Sequence, residues 1–272
     1  MKLSSLYKDA VKDSSVKPSD LIIIIEKVIG ISKEKFWTNY NSIILQNDEI
    51  DLLKNSIKRL KNNEPVSYII GEKEFYSEKF LVNNSVLIPR PETEILIDIL
   101  IQEANSESRI LEIGAGSGII SILAAKLTGA DIVAVEYDND AIEVLQKNIK
   151  FHNVQDNVTS VSANLFPEDK KDFTIIVSNP PYLSKKDLSL TDPSVHDHEP
   201  HIALLGGEYG HEIIADIIQR APGFLCEKGK ILIEIGYDQK FKVKKLLKSR
   251  GFKHIKFYND LNSIPRVVKA VK

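Results

Sequence analysis

Arg109-Ile110-Leu111-Glu112-Ile113-Gly114-Ala115-Gly116-Ser117-Gly118 is a short apolar run that ends in a glycine-rich turn. Residues 109–113 read as a strand and residues 119–126 as a helix, so the glycines sit where a strand hands over to a helix. Glycines there let the backbone turn sharply and approach a ligand closely. The same rhythm continues to the C-terminus. Strands are expected at 131–136, 158–163, 173–177, 230–235, 252–258 and 267–272, with helices at 140–151, 211–221 and 238–249. Residues 193–210 read as a loop. Such alternation specifies an α/β fold: a mostly parallel sheet with helices on both faces. Residues 259–266 link the last two strands without a helix. That link permits only antiparallel pairing, because a parallel return needs a dozen or more residues. One reversed strand at the end is therefore expected.

Ligands of such sheets bind at the carboxyl ends of the strands. Gly114, Ala115, Gly116, Ser117 and Gly118 are the first candidates. Glu136 ends the next strand, where a carboxylate can accept both hydroxyls of a ribose. A dinucleotide such as NAD is one reading of the loop. Against it, Ile119 stands where the G-x-G-x-x-G pattern needs its last glycine.

Val177-Ser178-Asn179-Pro180-Pro181-Tyr182 follows the apolar strand at 173–177. Two successive prolines cannot continue a ladder, since neither donates an N–H. The strand therefore ends with an amide, two rigid residues and an aromatic ring in one place. An amide oxygen and a backbone carbonyl accept hydrogen bonds from an –NH2 group, and a ring stacks on a flat conjugated plane. Asn179, Pro180, Pro181 and Tyr182 thus suit a planar amine or amide nitrogen. Upstream, Pro89 and Pro91 hold Arg90 extended, which makes Arg90 a further substrate-binding candidate. Pro91 fits the first position of a helix running to Ala104, with Glu92 and Glu94 in its first turn.

The first 75 residues are helical in pattern. Residues 3–11 form an amphipathic candidate. Pro18 opens a helix that Gly30 ends, and Asn47 is the expected cap of a helix over 48–61. Residues 74–76 and 80–82 read as a hairpin turning at 77–79. The chain thus divides into a helical domain (1–75), a hairpin linker (76–90) and the α/β domain (91–272).

Bulk properties narrow the class. The chain has 272 residues, 43% of them hydrophobic, and a formal charge of −2. That balance gives no electrostatic case for nucleic acid or a membrane surface. The single cysteine, Cys226, excludes an internal disulfide and a cysteine-cluster metal site. The apolar run at 21–25 is far too short to span a bilayer. A cytoplasmic protein without a metal is expected.

The E-x-G-x-G-x-G loop resembles the S-adenosylmethionine site of class I methyltransferases, which places Asn164 and Leu165, after the third strand, against the adenine. With Asn179-Pro180-Pro181-Tyr182 the chain resembles enzymes that methylate planar nitrogens, either the exocyclic amine of adenine in DNA or a glutamine amide. Tyr68, Glu74-Phe75-Tyr76, Ile88 to Glu94, Glu199-Pro200, Gly206-Gly207, Glu234-Ile235-Gly236 and Arg266-Val267-Val268 resemble the release factor glutamine methyltransferases, the HemK/PrmC family. The resemblance runs from about Glu64 to the end. Glu136 and Asn164 stand where Asp is commoner, and His196 where Arg is frequent.

This resemblance implies a Rossmann-like fold preceded by a helical substrate-docking domain. It implies S-adenosylmethionine as cofactor and, as partner, the Gly-Gly-Gln glutamine of class I peptide chain release factors. Asn179 would lie near both cofactor and glutamine. The Asn179 oxygen and the Pro180 carbonyl would accept the two amide hydrogens while Tyr182 packs on the amide plane. A ribosomal-protein glutamine and DNA adenine stand as alternative substrates, and a non-enzymatic binding fold as the remaining class.

Overall fold

The structure is a computed structural model that describes residues 1–169 and 172–272. It divides into two units, residues 1–72 with 192–198, and residues 73–191 with 199–272.

The first unit is a helical bundle of α1 (Leu3–Ala10), α2 (Pro18–Ile29), α3 (Lys33–Asn39), α4 (Asn47–Lys61) and α5 (Val66–Ile70). Pro18 opens α2, and Gly30, at φ 72°, closes it in the left-handed conformation that a glycine adopts without strain. The start of α4 differs from expectation: Gln46, not Asn47, is the cap. Glu49 reaches back to the Gln46 N–H at 2.8 Å and completes a capping box. Leu3, Leu21, Ile24, Ile25, Phe36 and Leu53 are fully buried and form the core of this unit.

A hairpin of β1 (Glu72–Phe75) and β2 (Glu78–Leu81) follows, all of it but Glu72 in the second unit. Its turn is Tyr76-Ser77, both at positive φ (54° and 60°), the geometry that matches the twist of paired strands. The hairpin lies about two residues earlier than the sequence suggests, because neither turn residue is a glycine or asparagine. The α/β part follows as α6 (Thr93–Glu103), β3 (Arg109–Ile113), α7 (Ile119–Thr128), β4 (Asp131–Glu136), α8 (Asn139–Phe151), β5 (Val158–Ser162), β6 (Phe173–Ser178), α9 (Lys185–Leu188), α10 (Pro193–His196), α11 (Glu212–Arg220), β7 (Leu225–Glu234), α12 (Lys240–Ser249), β8 (Lys253–Asn259) and β9 (Pro265–Val271). One short helix, α10, stands within the 193–210 stretch expected as a loop. α10 belongs with the helical unit rather than with the sheet.

The seven strands of the sheet run in the order β5-β4-β3-β6-β7-β9-β8. All neighbours are parallel except those of β9, which is antiparallel to both β7 and β8. The reversed strand is thus last in the chain but not at the edge of the sheet. Successive residues face opposite sides: Ile110 joins the cluster beneath α6, α7 and α8, and Leu111 joins the one beneath α11 and α12. Both faces are covered, as a parallel sheet requires. Among the described residues, no helix is long and apolar enough to cross a membrane, and no group of His, Cys, Asp or Glu could hold a metal ion.

Candidate functional site

Ser178 ends β6 in register with Ile113, which ends β3. The buried Ser178 hydroxyl donates to the Ile113 carbonyl at 2.7 Å. The loops that follow, residues 114–118 and 179–182, therefore leave the sheet side by side. Strand order reverses between these two strands, and open α/β sheets bind ligands in the crevice at such a point. A cavity of about 370 Å³ lies there.

Most of the expected site residues line this cavity: Arg90, Gly114, Ala115, Gly116, Ser117, Glu136, Asn164, Leu165, Asn179 and Pro181. Three do not. Gly118 caps α7, Pro180 is buried, and the Tyr182 ring packs into the core cluster beneath α11 and α12. Burial first, then the Glu234 charge, hold the pKa of its phenol well above the ordinary value. The Tyr182 carbonyl accepts from the Gln239 amide at 3.0 Å, which ties the proline loop to the start of α12. A Cβ on Gly206 would come within 2.5 Å of the Pro181 carbonyl oxygen, so the chain passes there only as glycine.

The glycine loop is held from β4. Gly114 N–H and Ala115 N–H both donate to the Val135 carbonyl, at 2.9 and 3.0 Å. Gly116 N–H donates to Glu136 Oε2 at 2.8 Å, while Glu136 Oε1 accepts from Tyr137 N–H and Asp138 N–H at 2.7 and 3.1 Å. One amide of the glycine loop and two from the turn after β4 thus occupy three of the roughly four lone-pair sites of that carboxylate. Gly114 and Gly116 have positive φ, and a Cβ at either would meet nothing within 4 Å.

Arg90 is committed to a partner on a distant segment of the chain. Its guanidinium lies 2.5 Å from the Glu199 carboxylate, which also accepts from Ile88 N–H at 3.3 Å.

Further polar groups complete the site without having been singled out from the sequence. Glu112 is 1% exposed and lines the cavity. Its Oε2 accepts from the Ser121 N–H at 2.9 Å and from the Ser121 hydroxyl, and among the described residues its Oε1 has no partner. Burial pushes its pKa up to about 8 against the opposing Ser121 bonds. Glu234, also 1% exposed, is pushed up to about 7 by burial. Thr93, at the start of α6, donates to Glu234 at 2.8 Å and accepts from the Asn179 amide at 3.1 Å. A single signal marks both acids in the sequence: a carboxylate inside an otherwise apolar strand, Ile-Leu-Glu-Ile and Ile-Leu-Ile-Glu-Ile. Buried acids without partners carry a large desolvation penalty, so such positions need a reason.

Comparison with known proteins accords with this arrangement. The PrmC N-terminal domain family matches residues 10–71, and the Methyltransferase small domain family matches residues 91–197. A release factor glutamine methyltransferase from Geobacter sulfurreducens is 34% identical over 247 residues, covering 90% of this chain and 86% of its own length. A bifunctional methyltransferase from Rickettsia typhi is 38% identical over 247 residues, 83% of this chain. The present chain spans about half, 48%, of that longer relative. A solved methyltransferase from Pyrococcus furiosus shares the fold at a TM-score of 0.58 and 19% identity, over 80% of this chain and 98% of that one. The chain belongs to the release factor glutamine methyltransferase family, HemK/PrmC.

Proposed function

We propose that this protein transfers a methyl group from S-adenosylmethionine to the side-chain amide nitrogen of the Gly-Gly-Gln glutamine of class I peptide chain release factors. One observation carries the reading: the glycine loop after β3 and Asn179 after β6 face one cavity at the switch point of the sheet.

The cavity suits the cofactor. Glycines 114 and 116 leave open space where any side chain would intrude. The unpartnered Glu112 Oε1 suits a cationic group, such as the ammonium of the methionine part. Glu136 keeps one acceptor site for a ribose hydroxyl, and Leu165 with Ala141 supplies apolar wall for the adenine. When bound, the cofactor supplies an electrophilic methyl on a sulfonium whose departure leaves a neutral thioether.

The chain's own task is orientation. An amide nitrogen is a poor nucleophile because its lone pair is delocalised into the carbonyl. Asn179 accepts one amide hydrogen through its side-chain oxygen, which orients the nitrogen and favours positive charge on it; the second acceptor expected from the sequence, the Pro180 carbonyl, belongs to a buried residue that does not line the cavity. Orientation of this kind is worth roughly 7–11 kcal/mol over a bimolecular encounter. Preorganised acceptors add to it electrostatically. Tyr182 supports this loop from the core side. The helical unit at residues 1–72 docks the protein substrate, a role supported by its match to the PrmC N-terminal domain.

The test is to incubate the full chain with labelled S-adenosylmethionine and a purified class I release factor, then map the product by mass spectrometry. One methyl on the Gly-Gly-Gln glutamine is expected. Label on a ribosomal protein or on DNA adenine, with none on that glutamine, overturns the assignment.

A further inference from the structure

Asn179 can present either its oxygen or its NH2 group to the cavity, and the proposed reaction needs the oxygen. Which end faces outward is decided by what stands behind it. Thr93 Oγ1 lies 3.1 Å from the Asn179 amide and 2.8 Å from Glu234 Oε2. Thr93 is 0% exposed and Glu234 is 1% exposed, so water does not compete for these bonds.

A hydroxyl has one proton to donate. An ionised Glu234 can only accept, whereas a neutral carboxyl could donate to Thr93 and reverse the chain, so the direction that follows is that of the carboxylate. The Thr93 proton therefore goes to Glu234, and the Thr93 oxygen is left to accept. The Asn179 end that faces it must be the NH2 group, and the carboxamide oxygen is turned away from Thr93. Tyr182 is a further polar neighbour of the Glu234 carboxyl. Glu92 and Arg266 are the other charged groups that act on it.

We propose that Thr93 and Glu234 are positioning residues that lock the Asn179 carboxamide with its oxygen toward the reacting glutamine amide. The geometry of the chain of bonds stands by itself; the catalytic consequence rests on the function proposed above. The direction is encoded by three different residue types in series: an acceptor-only acid, a one-proton hydroxyl and a two-ended amide. Exchanging the hydroxyl for a methyl removes the discrimination while leaving the volume nearly unchanged. Asn179 is then free to turn its NH2 group toward the cavity, where it meets the NH2 of the substrate donor to donor.

The experiment uses Thr93→Val, with Thr93→Ser as the conservative rescue. The nitrogen-labelled protein gives a pair of side-chain amide signals for Asn179, identified by their loss in Asn179→Asp. In Thr93→Val these signals are expected to shift and their protons to exchange faster, and Thr93→Ser is expected to restore both. In the methyl-transfer assay Thr93→Val should lower kcat on the order of 100-fold with little change in KM for the release factor, as misplacement of a reacting group does. Affinity for S-adenosylmethionine, measured by calorimetry, should stay within a few-fold. Unchanged Asn179 signals in Thr93→Val overturn the inference, whatever the protein's substrate. So does full kcat in Thr93→Val against an active parent. An inactive parent instead counts against the proposed function, and the amide signals still decide the orientation.

Discussion

Arg90 and Glu199, 109 positions apart in the chain, meet at 2.5 Å with the carboxylate side chain 1% exposed and the guanidinium 32% exposed. Their pairing closes the proline-flanked loop at residues 87–91 onto the segment that precedes the single 3-10 turn at His201–Ala203. Removing one member of a buried pair strands the other charge, which costs more than the pair contributes. Arg90→Met is therefore expected to lower stability by about 2 kcal/mol, discounted from the fully buried case because the guanidinium is partly wet. Glu199→Gln, which leaves an acceptor for Ile88 N–H, should lose less. Urea denaturation of both variants checks this. Parent-like stability in Arg90→Met, together with a raised KM for the protein substrate, would assign Arg90 to substrate contact instead.

Glu112 gives the site a pH dependence of definite sign. Burial lifts its folded-state pKa to about 8, so the native state holds a proton that the unfolded chain has already released above the ordinary carboxylate range. The stability this contributes is fully present below that range and is lost as pH rises through about 8. Glu112→Gln should match the parent below the ordinary carboxylate range, become the more stable protein as pH rises from there, and hold a constant advantage above about pH 8. Binding of a cationic ligand works in the opposite direction, because it favours the ionised form. The ratio of parent to Glu112→Gln affinity for S-adenosylmethionine should rise with pH and level off above about 8. Taking the ratio removes the ligand's own titration. Calorimetry at several pH values measures it, and a flat ratio would show that Glu112 does not face the cofactor's charge.

Two glycines of the same loop should fail for different reasons. At Gly118, with φ 84°, a Cβ would fall 2.5 Å from Leu145 Cδ1 and 3.1 Å from Ile122 Cδ1. Gly118→Ala adds backbone strain to overpacking and is expected to cost about 1–3 kcal/mol of stability. At Gly116, with φ 53°, a Cβ meets nothing within 4 Å. Gly116→Ala should cost only about 1 kcal/mol in strain, yet weaken cofactor binding, because that space belongs to the cavity. Thermal melts beside calorimetric titrations separate the two. Equal loss of affinity with equal loss of stability in both variants would contradict this division.

Much of the fold is legible because period and punctuation agree. Residues 109–113 and 131–136 are strands with the limits read from the sequence, bounded by glycines and an acid. Residues 179–182 leave the sheet where two prolines forbid a ladder. The rest is hidden for identifiable reasons. The Tyr76-Ser77 turn adopts positive φ without a glycine or asparagine to announce it. The reversed strand β9 enters between β7 and β8, and nothing in the short link after Asn259 says on which side it pairs. Thr93 finds Glu234 across 141 positions, a contact that only the folded sheet creates. Glu112 and Glu234 were visible as acids in apolar strands, but the side they face depends on a register fixed by neighbouring strands.

Asn148 shows how far the site's support extends. It is 0% exposed on α8, and its amide is fully used. Its NH2 group donates to the Leu81 carbonyl at 2.9 Å and to the Ser117 carbonyl at 2.8 Å, while its oxygen accepts from Leu81 N–H at 2.8 Å. One side chain thus joins β2 of the hairpin, a helix and the glycine loop. Asn148→Leu, close in volume, strands three backbone groups, each with a desolvation penalty of about 1–3 kcal/mol. A loss of at least about 3 kcal/mol is expected, since some of those groups regain water as the hairpin edge loosens. Hydrogen exchange gives the sharper readout. The Leu81 amide should lose its protection while amides in β3 and β6 keep theirs, because the sheet does not depend on this contact. Cofactor affinity should fall with it through the Ser117 carbonyl. Retained protection at Leu81 would mean that β2 is held by the hairpin ladder alone, and that the glycine loop is positioned from β4 without help from α8.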